Sequence, residues 1–128
     1  MSYHFSKSLD TPFDQAVARV TEALKQEGFG VLTDIDVSAT MKAKLGKEFR
    51  PYRILGACNP QLAYRALQLE DRTGTMLPCN VIMQQHADGA VEVSAVDPVA
   101  SMQAIENPAL AEVAKEVRAK LGRVINGL

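Results

Sequence analysis

The sequence is poor in the groups from which chemistry is usually read. It holds two cysteines, Cys58 and Cys79, and two histidines, His4 and His86. Two cysteines make no disulfide framework. A zinc site wants three or four ligands, and His86 is out of phase with Cys79 along one expected strand, so only two plausible ligands remain. Charge of one sign is also lacking: 14 basic against 15 acidic residues leave a formal charge of −1. That balance argues against broad attraction to nucleic acid or an acidic membrane. No apolar run approaches the roughly 18 residues that span a bilayer, and Met1 to Lys7 lacks the apolar core of a signal peptide. The expectation is a cytoplasmic protein with no membrane partner. Missing too are a Gly-rich phosphate loop, a Ser/His/Asp order and a metal-binding helix motif. With no internal repeat, linker or low-complexity tract, residues 1–128 read as a single domain.

What is present is ordinary globular material, 47% hydrophobic and 23% charged. Tyr3 to Leu9 alternates as a first strand. Thr11-Pro12 then reads as N-cap and first helical position of a helix whose Phe13, Val17, Val20 and Leu24 form one stripe, ended by Gly28. From Phe29 the period becomes two, placing Val31, Thr33, Ile35 and Val37 on one face and Asp34 and Asp36 on the other. Ser38 is the expected cap of a short helix, Ala39 to Leu45, stopped by Gly46. Further on, Leu77 to His86 and Ala90 to Val96 form a hairpin across the tight-turn pair Asp88-Gly89. Asn107-Pro108 launches a last helix with Leu110, Val113, Ala114, Val117, Leu121 and Val124 on its buried side.

The chain is organised around Tyr52-Arg53-Ile54-Leu55-Gly56-Ala57-Cys58-Asn59-Pro60. It reads as a short buried strand that turns into a helix, with two small residues allowing close backbone packing. Asn59 is a good N-cap, and Pro60 sits where its missing N–H costs nothing. Cys58 therefore lies beside a helix N-terminus, whose partial positive charge favours a thiolate. A second Cys-Asn pair, Cys79-Asn80, opens a later strand.

In order, Glu27-Gly28-Phe29-Gly30-Val31, Gly56-Ala57-Cys58-Asn59-Pro60, Leu77-Pro78-Cys79-Asn80-Val81 and Ser94-Ala95-Val96-Asp97-Pro98 resemble the bacterial domain-of-unknown-function family 302. The likeness covers nearly the whole chain. It implies an α+β fold: a curved, mainly antiparallel sheet backed by helices in β-α-β4-α order, with short extra helices, similar to the TATA-binding-protein-like fold. It carries over no reaction and no catalytic residue.

Three readings stand side by side. In the first, the domain binds a small ligand or a soft metal ion such as Cu(I) at Cys58 and Cys79, with Asn59, Asn80 and Arg53 near them. Arg53 and the amides after Asn59 would suit a small anion. In the second, Cys58 is the reactive sulfur of a thiol enzyme or redox sensor. In the third, the cysteines pack as small hydrophobes and the domain assembles with itself, as a homodimer that covers an open sheet. The expectation is two free thiols close enough to share a ligand, with no structural disulfide, since a reducing compartment keeps such a bond open. The basic run Lys42, Lys44, Lys47, Arg50 and Arg53 reads as a solvated face, and Asp36 and Asp97 as residues that tie off backbone amides.

Overall fold

The computed structural model describes residues 2–128. Five strands form one wholly antiparallel sheet in the order β1-β5-β4-β3-β2, where β1 is His4–Leu9, β2 Gly30–Asp36, β3 Tyr52–Cys58, β4 Cys79–Gln85 and β5 Val91–Val96. The helices are α1 (Phe13–Gln26), α2 (Val37–Leu45), α3 (Pro60–Leu69), the short α4 (Pro98–Ser101) and α5 (Pro108–Asn126), with a 3-10 segment at Asp71–Met76. This is the expected α+β order, β-α-β4-α, with α2, α3, the 3-10 segment and α4 inserted.

Alternation along the strands decides which face is covered. Leu55, Ala57, Val81, Met83, Val91, Val93 and Ala95 point to one face and are buried there against Ala16, Val20 and Leu24 of α1 and Leu121, Val124 and Ile125 of α5. A second, smaller core lies beyond the sheet's end, where Leu62 and Ala66 of α3 meet Leu110, Val113 and Ala114 of α5 and Met102. Val117, half-buried, packs against both. Among the described residues no helix forms a layer over the sheet's other face. Ser6, Ser94, Ile82, Ile54 and Ile35 lie in register across it as one row, one residue from each strand.

Three local expectations give way, each for a visible reason. Helix α1 starts one residue late: Ala16 N–H donates to the Pro12 carbonyl, so Pro12 is the N-cap, and Thr11 accepts from Arg19 instead. Asp36, not Ser38, caps α2 by accepting from Ala39 N–H at 2.9 Å, since a carboxylate suits a helix N-terminus, and Ser38 donates to the Phe49 carbonyl. The period-two reading of β2 breaks at a bulge between Val31 and Thr33. Val31 opposes Ala57 over the core, while Thr33 opposes Gly56 and Ile35 opposes Ile54 on the open face. One extra residue, Leu32, is enough to move the rest of the strand to the other side.

The Asn-Pro and Asp-Pro pairs behave as read. Asn59 accepts from Leu62 N–H, Asn107 from Ala109 and Leu110 N–H, and Asp97 from Val99 and Ala100 N–H, each ahead of a proline in the first turn. Asp97 is buried and also forms an ion pair with Arg118, Nε to Oδ2 at 3.2 Å, which ties the start of α4 to α5.

Candidate functional site

The two cores do not close on each other completely. Between them lies a cavity of about 330 Å³, floored by the ends of β3 and β4 and walled by α3, α5 and the segment leading into β4. Ala57, Cys58 and Cys79 line it from the sheet, and Leu62, Met102 and Val113 from the helices. No charged side chain lines it, and its polar side chains are the two thiols and Asn59. The Asn59 side-chain oxygen already accepts the Leu62 N–H at 3.3 Å. The volume and walls are those of a small-molecule site, mostly apolar with a few polar groups at one end.

The strand register sets the thiols there. Ala57 stands directly opposite Cys79 on β4, so Cys58 is one step past that pair, at the last position of β3. In an unbroken strand it would face away from Cys79. Here β3 ends, Asn59 turns the chain into α3, and both cysteines border the same space. Cys79 is buried and Cys58 half-buried, and both are free thiols. Burial pushes the Cys79 thiol up to about 11, with the nearby Cys58 adding to the rise. A buried thiol held in its neutral form is a poor nucleophile on its own.

Of the residues singled out in the sequence, the structure brings Cys58, Asn59 and Cys79 together and separates the others. Arg53 lies near the opposite end of β3, its guanidinium engaged by Asp34 through Nε and Nη2 at 2.8 and 2.5 Å. Hydrogen bonding from Arg53 holds the Asp34 carboxyl below its usual value. Arg53 borders a wider, open polar cleft with Asp14, Asp36, Lys42 and Glu48, where opposite charges offset one another. Asn80 opposes Gly56 and is exposed on the open sheet face, away from the thiols. The anion subsite of Arg53 with the α3 terminus is therefore not assembled: a β2–β3 ion pair takes up the arginine. The rest of the basic run is dispersed too, with Lys42 on Glu48 and Arg50 donating to Gln84 while its guanidinium lies 4.6 Å from the Phe49 ring centroid.

Met102, Val113, Leu32 and the Leu77-Pro78 segment are cavity residues that sequence reasoning did not assign to a site. Leu32 is there because it is the bulge residue; Val113 belongs to a stripe on α5 that reads only as core. Among the described residues no group of three or more His, Cys, Asp or Glu side chains could hold a metal ion. A metal at this place has two thiolates to work with.

The chain matches, over residues 5–128, the family described as "Domain of unknown function DUF302". It belongs to this family. The crystal structure of an uncharacterized conserved DUF302 protein from Bacillus stearothermophilus is similar at 31% identity and a TM-score of 0.91, covering 98% of this chain and 98% of that one. No curated protein matches this DUF302 chain. No helix of the described DUF302 residues is long and apolar enough to cross a membrane.

Proposed function

We propose that this DUF302 domain is a binding module of the bacterial cytoplasm, which takes a small, largely apolar molecule into the cavity bordered by Cys58 and Cys79. The observation that carries the reading is the cavity itself: about 330 Å³ of space with apolar walls and both of the chain's thiols at one end. The absence of charged lining side chains disfavours a small anion, since burying an ion without a partner is costly. A soft ion such as Cu(I), held between Cys58 and Cys79, is the metal form of the same reading. Two free thiols suit a reducing compartment.

The test is a fluorescence titration with N-phenyl-1-naphthylamine, an uncharged apolar probe. Saturable binding of one probe per chain is expected. Ala63, half-buried on α3, borders the cavity, so Ala63→Trp places an indole in the space and lowers the affinity at least tenfold. Unsaturable partitioning, or a variant that binds as well as the wild type, contradicts the reading.

The open sheet face supports a homodimer as the assembled form. Ile35 is 46% exposed, and with the half-buried Ile54 and Ile82 it makes an apolar row over three adjacent strands. A symmetric pairing of two such faces would bury it. Sedimentation at micromolar concentration should return a dimer mass for the wild type and a monomer for Ile54→Arg; a wild-type monomer ends this part of the proposal.

A further inference from the structure

The cavity's sulfurs point to a narrower ligand class than its walls alone. Cys79 is 93% buried, as its 7% exposure shows, and borders the cavity. Among the described residues its thiol makes no hydrogen bond, whereas the sulfur of Met102 accepts one from buried Thr73 at 4.0 Å. The second thiol, Cys58, comes from the neighbouring strand at the next position past the Ala57–Cys79 pair. The two cysteines therefore place two soft donors on the border of one space, from which hard, charged ligands are disfavoured. A bare soft ion would satisfy the sulfurs and leave most of the cavity unused. An apolar molecule with no soft centre would fill the walls and leave Cys79 unpartnered.

We propose that the ligand joins both features, an apolar body carrying a soft, thiophilic centre that bridges Cys58 and Cys79. The inference rests on the cavity reading above. Phenylarsonous acid, PhAs(OH)₂, is the simplest probe with this chemistry. Each thiol displaces one hydroxyl: two As–S bonds form, two As–O bonds break, and the thiol protons leave with the hydroxyls as two water molecules. Arsenic stays trivalent and no oxidant or reductant takes part. The phenyl ring would then lie toward Leu62, Met102 and Val113, which line the helical side.

Intact-mass spectrometry of the folded wild-type protein with one equivalent of phenylarsonous acid tests this. The expected product is a single adduct whose mass equals protein plus probe less two waters, stable to a monothiol and released by a dithiol. Cys58→Ala and Cys79→Ala, each checked for folding by circular dichroism, should lose the monothiol-stable adduct. Measured against competing dithiothreitol, the phenyl probe should also be retained at least tenfold better than arsenite. An adduct less only one water, or a stable adduct on either single variant, overturns the bridge. Equal retention of arsenite overturns the apolar body. If N-phenyl-1-naphthylamine binds while no bridged adduct forms, this inference falls and the cavity reading stands. If the bridge forms without naphthylamine binding, the cavity reading falls and only the dithiol remains.

Discussion

Gly56→Ala is expected to destabilise the domain by about 3 kcal/mol, at the upper end of what overpacking costs. A Cβ at this position would lie 2.3 Å from Thr33 Oγ1 and 2.7 Å from Pro78 Cγ. Threonine on an exposed edge strand can rotate away. The proline ring cannot, because it is fixed to the backbone that leads into Cys79. The added methyl therefore has to push the start of β4 off β3, at the end of the sheet that borders the cavity. Urea unfolding should show a lower midpoint with an unchanged slope. Adding Thr33→Ala to the variant should recover only part of the loss, because the Pro78 clash remains. A Gly56→Ala protein within about 0.5 kcal/mol of the wild type, the range of unremarkable surface changes, would show that β3 and β4 are not packed this closely.

A second large effect belongs to Cys79. Its thiol ionises near 9.0 when solvated, and burial in the fold pushes it up to about 11. Between these values the unfolded chain has lost the proton and the folded one has kept it. Stability therefore falls as pH rises through this interval, and levels off once the folded thiol also ionises. The stabilisation is fully present below pH 9.0. The loss should come to about 2–3 kcal/mol by the top of the interval, from the free-energy equivalent of a pKa difference. Tyrosines and lysines titrate in the same range, so the quantity to follow is wild type minus Cys79→Ala from pH 8 to 11.5. A flat difference would mean that the thiolate is solvated in the folded protein, with water reaching the buried end of the cavity.

How much of this was legible depended on whether a feature is local. The caps Asn59, Asp97 and Asn107 could be read because each sits directly before a proline in a helix's first turn, where its side-chain oxygen can accept from the unpaired backbone N–H groups. Gly56 and Ala57 announced a close approach through their size alone. The Asp88-Gly89 turn, with Gly89 at φ +91°, was plain for the same local reason. Arg53 was misplaced because its fate depends on the β2–β3 register, which sets Asp36 opposite it and Asp34 within reach. The bulge at Leu32 was invisible, since Gly30-Val31-Leu32-Thr33 alternates as well without one. The cavity was the least legible feature. Leu62, Met102 and Val113 each read as core, and only the relative placement of α3, α4 and α5 leaves space between them. Cys58 and Cys79 could be suspected as a pair from their matching Asn neighbours. Their shared border on that space is a tertiary fact.

Whether a ligand sits in the apolar space beside Cys58 and Cys79 can be read from intermolecular NOEs in the complex with N-phenyl-1-naphthylamine. NOEs are expected from the bound aromatic protons to the methyl groups of Leu62, Met102 and Val113, which line the cavity. NOEs instead to Ile54 and Ile82, on the open face of the sheet, would contradict the cavity reading and make that face the binding surface.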